Sequence, residues 1–232
     1  LYVNAAMNSR NRKPGEYPSA GPLAHLIDVW HSAAPSIDFL APDLYDDDFT
    51  GWVAQYHLHN NPLFIPEIRL TENNGVRAFY VFAEHDAIGI SPFSIEDASD
   101  APNNPLIQSY AKLKELIPLL APYQGKGRMR GLLFDQTHKE RILTEDDLIL
   151  TCRHNFTLPW DSRATDGSVW PEGGGLLLKL AANEYIVAGS GLVIEFAKNT
   201  EKTMPADKKK LGEDGFLQAG KADKESWESN EK

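Results

Sequence analysis

This chain of 232 residues predicts an α/β region followed by an all-β region. Three observations carry that expectation. Through residue 123, short apolar runs alternate with amphipathic helical segments, the pattern of β-α units. The apolar runs are continuous, as in strands covered on both faces. After "YQGKG" at 123–127 the chain becomes rich in β-branched and aliphatic residues separated by turn residues, the mark of antiparallel strands.

The elements follow in order. "LYVNAAM" (1–7) reads as a strand, and a Gly/Pro-rich loop leads to a helix over 23–34, with Leu23, Leu26, Ile27 and Trp30 on one face. "SIDFLAPDLY" (36–45) is a second strand, its apolar centre too short for a helix, and 49–59 is a helix. "PLFIPE" (62–67) is a third strand, 74–86 a helix, 87–93 a fourth strand and 105–123 a last helix. Strands joined through helices pair in parallel by right-handed crossovers. Four such units make half of a (β/α)8 barrel or a small doubly wound sheet. No Gly-x-Gly-x-x-Gly or P-loop pattern follows a strand, which weighs against a nucleotide fold. The second part holds "MRGLLFD", "RILTEDDLILTCRH" and "GGLLLKLAANEYIVAGSGLVIEFAK", with a hairpin turn at "AANE". The expected division is 1–124 and 125–232, the latter ending in a polar, solvated tail that includes Lys208, Lys209 and Lys210. The opening residues read as a strand already in progress, so the chain is expected to be a piece of a longer protein.

The formal net charge is -10 and the acids are spread along the chain, which argues against a nucleic-acid groove, where Lys and Arg must cluster. No apolar run approaches the roughly 20 residues of a membrane span. The single cysteine, Cys152, excludes an internal disulfide and reads as a small buried hydrophobe. His57 and His59 are two apart, a spacing that does not face one metal site from a helix. Trp160 and Trp170 flank "DSRATDGSV" and read as core residues, with glycan contact as the sharper alternative.

Chemistry in a parallel α/β barrel sits at the C-terminal strand ends. Those ends present Asn4, then Asp43 and Tyr45, then Glu67 with Arg69 just after it, then Ser91, Pro92 and Phe93. Polar groups with an aromatic face make a sugar-binding set, and a strand is a rigid mount for a reacting carboxylate. Each has a plainer reading: Glu67 paired with Arg69, Asp43 capping the next helix, Asn4 bonding a loop, Tyr45 and Phe93 packing. Glu16 and Tyr17, in "PGEYPSAGP", lie in a loop on the same side, as substrate contacts or as part of a rigid surface loop.

"LYVNAAM", "PGEYPSAGPLAHLIDVWHSAAPSIDFLAPDLY", "NPLFIPEIR" and "AFYVFAEHDAIGISPFSIED" resemble the second half of the catalytic barrel of bacterial glycoside hydrolase family 35 β-galactosidases. "GGLLLKLAANEYIVAGSGLVIEF" resembles the extra C-terminal β-domain of one group of them. The resemblance implies barrel strands 5–8 followed by a sandwich-like all-β domain. It also implies a retaining mechanism with Glu67 as nucleophile, a terminal galactoside as substrate, no cofactor, and a periplasmic or secreted location. The partner acid/base glutamate belongs to strand 4, and strands 1–4 are not in this sequence. The one Asn-Glu pair, Asn183-Glu184, falls at the expected hairpin and reads as a turn. The resemblance therefore calls for a missing N-terminal half-barrel to complete the site, and a half-barrel with open edges is expected to associate, with that half or as a homo-oligomer. The rival expectation is a non-catalytic carbohydrate-binding or scaffold protein built from glycosidase parts.

Overall fold

The computed structural model describes residues 1–7, 13, 15–16, 23–98 and 103–199. The polar tail, with Lys208 to Lys210, lies outside the described residues. Mixed α/β structure is what the chain adopts. Strands β1 (Tyr2–Ala6), β2 (Phe39–Leu44), β3 (Phe64–Ile68) and β4 (Gly89–Pro92) alternate with helices α1 (Ile27–Ala33), α2 (Phe49–Tyr56) and α3 (Asn74–Glu84), and α4 (Pro105–Leu120) follows. Two helix starts are written plainly in the sequence. The Asp48 side chain accepts from the Gly51 N–H at the head of α2. Asn104 accepts from the N–H groups of Leu106 and Ile107, with Pro105 in the first turn of α4, where its missing N–H costs nothing.

The four strands form one parallel sheet in the order β1-β2-β3-β4. Leu40, Leu44, Ile65 and Ile68, each at most 2% exposed, join the residues of α2 and α3 in one apolar core. The other face is different. Tyr2 and Phe39 stack at 5.4 Å, and Phe64 meets Tyr2 edge-on at 5.1 Å. Tyr2 is 42% exposed, and Phe39 and Phe64 are half-buried. Asn61, wholly buried, completes the ladder where β3 has not yet begun. Its Oδ1 accepts from Leu40 N–H at 2.8 Å, and its Nδ2 donates to Leu40 O at 3.0 Å and Tyr56 O at 2.7 Å.

From residue 129 the described chain is strands and short turns: β5 (Met129–Phe134), β6 (Glu140–Glu145), β7 (Leu148–His154), β8 (Gly173–Ala181), β9 (Glu184–Ser190) and β10 (Leu192–Lys198). They form two sheets, β5-β8-β9 and β10-β7-β6. Asn183, at φ 58, turns the β8–β9 hairpin, so the Asn183-Glu184 pair is a turn, as its sequence context suggests. Helix α3 packs against β5 and β8. Gly131 makes that approach possible, since a Cβ there would lie 2.4 Å from Tyr80 O.

By internal contacts the chain divides into two units. The first comprises Leu1–Arg141 with Cys152–Ile194, and therefore holds the parallel sheet and the β5-β8-β9 sheet. Within it, Arg77 of α3 and Glu172, just before β8, form a two-pronged ion pair, with Nε–Oε2 at 2.7 Å and each side chain only 16% exposed. The second comprises Ile142–Thr151 and the chain from Glu195. In it Asn199 N–H donates to Asp147 O at 2.6 Å, beside the left-handed turn residue Asp146.

Candidate functional site

Glu67 reaches its position through an irregularity. On β3, Phe64 faces the aromatic cluster and Ile65 the apolar core, so strict alternation would send Glu67 toward the core. The pairing with β4 shifts between Ile65 and Ile68: Ile65 sits opposite Ile90, but Ile68 sits opposite Pro92. One extra residue on β3 is thus absorbed at Pro66-Glu67, a bulge where the proline has no N–H to lose. The bulge returns Ile68 to the core and leaves Glu67 on the polar face, in register with Asp43 of β2.

Around it the strand ends converge. The Tyr45 hydroxyl donates a short hydrogen bond to Glu67 Oε1. Asn4 Nδ2 donates to Asp43 Oδ1 at 2.8 Å across the β1–β2 pair. Partial burial and the nearby Glu67 charge raise the Asp43 carboxyl above its ordinary range, and the Asn4 bond opposes them. Tyr45 is pushed up to about 12 by burial, then by its bond to Glu67 and the charges of Glu67 and Asp43, with Arg69 opposing. Tyr45 therefore keeps its proton at neutral pH and holds it against Glu67. Arg69 does not pair with Glu67. Its Nη2 donates to Tyr45 O at 2.9 Å and its Nη1 lies 4.0 Å from Asp47. That fixes the backbone of the Tyr45 loop. Asp43 does not cap the next helix; Asp48 does.

Asn4, Asp43, Tyr45 and Glu67 are thus one array on one sheet face, with Arg69 behind it. Phe93 is 57% exposed just past β4, its N–H donating to Ile68 O at 2.8 Å, so an aromatic edge flanks the neighbouring strand end. Glu16 is exposed and bonded locally to the Lys13 N–H at 2.9 Å. Tyr17 lies outside the described residues. Sequence reasoning missed the Tyr45–Glu67 bond, whose only signal is that both residues end neighbouring strands.

Two further features concern the histidines and the tryptophans. His57 meets His85 rather than His59: Nδ1 to Nδ1 is 3.0 Å, and His85 Nε2 lies 3.3 Å from the Tyr80 hydroxyl. Trp170 is a packing residue, 8% exposed, but Trp160 is 80% exposed, which corrects its reading as core.

Residues 106–231 match the family described as Domain of unknown function (DUF5597). The chain belongs to that family. The DUF5597 match takes in α4 from Leu106 and every strand from β5 to β10, while the Asn4–Asp43–Tyr45–Glu67 array precedes it. No curated protein matches the chain.

Proposed function

We propose that this chain carries the nucleophile side of a retaining glycoside hydrolase site of the β-galactosidase kind, with a terminal galactoside as substrate. The observation behind the reading is the Glu67 array. One carboxylate is mounted at the C-terminal end of a parallel strand, turned onto the polar face by a bulge and held by a tyrosine hydroxyl, with a second polar pair in register beside it. Glu67 attacks the anomeric carbon as the bond to the leaving oxygen breaks, and a proton from an acid/base residue goes to that oxygen. Water then cleaves the glycosyl ester while the same residue takes the water's proton. In the retaining geometry the two carboxyls stand about 5–5.5 Å apart. Asn4, Asp43 and Arg69 are assigned to sugar hydroxyls and to the walls that orient them, and Phe93 to the apolar face of the ring.

The fold proposed with this activity is the second half of a (β/α)8 barrel followed by a sandwich-like domain. Supporting it, the strand order runs 1-2-3-4 without the reversal of a doubly wound sheet. Supporting it too, Tyr2 and Asn4 are exposed on the face away from the helices, where a closed barrel would place its interior. The acid/base role belongs to the other half-barrel, provided by further chain. A periplasmic or secreted location goes with this proposal, as the resemblance to family 35 implies.

The second reading is a carbohydrate-binding or scaffold protein without catalysis. The observation that favours it is that the array offers one proton donor, Tyr45, and that proton is committed to Glu67.

Incubation with a 2-deoxy-2-fluoro-galactoside bearing an activated leaving group, followed by intact mass and peptide mapping, separates the two. A single adduct on the peptide holding Glu67, absent in E67Q, supports the nucleophile. An absence of adduct, both on this chain and on a version extended upstream, overturns it.

A further inference from the structure

We infer that Trp160 is the platform of a second carbohydrate-binding site, separate from the Glu67 array, which stacks on the apolar face of a pyranose ring. The inference rests on the carbohydrate reading above only for its choice of ligand.

Two tryptophans border the β7–β8 connection and have opposite fates. Trp170 lies inward: it stacks on His154 with ring centroids at 4.8 Å, meets Phe156 edge-on at 5.8 Å, and donates Nε1–H to Arg163 O at 2.9 Å. Trp160 stands 80% exposed. A large indole left in water has no packing role, and Trp is among the side chains most used as rigid anchors at binding surfaces.

The segment that carries Trp160 is pinned on both sides. Before it, the Asn155–Thr157 turn is closed by the His154 side chain, whose Nδ1 accepts from Phe156 N–H at 3.1 Å. After it, Asp161 N–H donates to Leu158 O at 2.9 Å, and Asp161 caps the Ser162–Ala164 turn. Arg163 grips Asp161 through Nε at 2.9 Å and Nη2 at 2.7 Å, and its guanidinium lies 3.6 Å from the centre of the Phe156 ring. The chain through Pro159 and Trp160 is therefore held between anchors, and little ordering remains to be done when a ligand arrives.

The surroundings select the ligand. Asp161, Ser162 and Arg163 follow the indole directly, and the Arg163 guanidinium, oriented by Nε and Nη2 on Asp161, is half-exposed. A flat aromatic face beside planar donors and acceptors fits the two sides of a sugar, one apolar and one hydroxylated. A protein partner would call for a contiguous apolar patch of a few hundred Å². The net charge of -10 disfavours an anionic lipid surface or a nucleic acid.

The test is affinity electrophoresis of the full chain through gels containing a soluble β-1,4-galactan or a galactose-substituted β-glucan. The expected result is retardation of the wild type and of E67Q, and binding about tenfold weaker in W160A, the size of one lost aromatic contact. In parallel, either polysaccharide should shield the exposed indole from iodide quenching in the wild type and not in W160A. Thermal melting and circular dichroism of W160A should be unchanged, since the side chain it loses is exposed. Retardation of W160A equal to the wild type overturns the platform while leaving a carbohydrate-binding chain. No retardation of any variant also overturns it, and the fluoro-galactoside label on Glu67 then decides separately whether the catalytic reading stands.

Discussion

At the scale of single residues, the feature that matters is Pro66-Glu67. A proline inside a strand gives up a ladder donor, and β3 absorbs the loss as a bulge that aims the next side chain. That proline was legible in the sequence; the bulge was not, because it depends on where β4 pairs. The Tyr45–Glu67 bond has a direct consequence for titration. The ultraviolet titration of the wild type minus that of Y45F should show one phenol ionising near 12. The same subtraction in an E67Q background should show it lower, because the carboxylate that disfavours the phenolate is gone, while burial and Asp43 still hold it above the ordinary value. An unmoved midpoint would mean that Glu67 does not face the hydroxyl. Asn61 is the second residue with a measurable weight. N61A leaves Leu40 N–H, Leu40 O and Tyr56 O without their buried partner. At about 1–3 kcal/mol for an unsatisfied buried group, with some relaxation, urea denaturation should report a loss of roughly 3 kcal/mol.

At the scale of elements, α3 is the busiest part of the first unit. It contributes to the apolar core behind the parallel sheet, and it packs against β5 and β8. Arg77 and Glu172 lock it there, with the Arg77 guanidinium also 4.7 Å from the centre of the Phe49 ring. Breaking one partner of such a pair strands the other charge in a dry place. E172Q should therefore cost about 3 kcal/mol. The double variant R77M/E172M should cost less than the sum of its singles, with a coupling of at least about 1 kcal/mol in a denaturation cycle. Strict additivity would show that the pair is not a unit. The two sides of this contact were readable as a helix and a strand, but 95 residues separate them and nothing local pairs them.

At the scale of the whole molecule, the pair of histidines where α2 and α3 end makes stability depend on pH. His85 is buried, and its value is lowered to about 4, first by that burial and then by His57, with Arg141 adding to the effect and Glu84 and Asp86 opposing it. Between about 6.5, the ordinary value, and about 4, the unfolded chain takes up a proton that the folded chain refuses. The stabilisation is therefore complete above about 6.5, declines as pH falls through that window, and levels off below it, an effect of up to about 3 kcal/mol. A stability curve against pH should show this slope in the wild type and a flatter one in H85Q. A curve of equal slope in both would remove His85 as its source.

Local pattern alone was enough for the α/β and all-β succession, for the order of helices and strands through α4, and for the polar character of the strand ends. These are local properties: hydrophobic period, caps such as Asn104, turn residues such as Asn183. Only the tertiary structure decided that Asn4, Asp43, Tyr45 and Glu67 share one face, that His57 faces His85 and not His59, and that Trp160 stays in water while Trp170 does not. The physical reason is that register, bulge placement and burial are settled by partners distant in the chain. A side chain's identity says what it can do, and its neighbours across the fold say whether it is placed to do it.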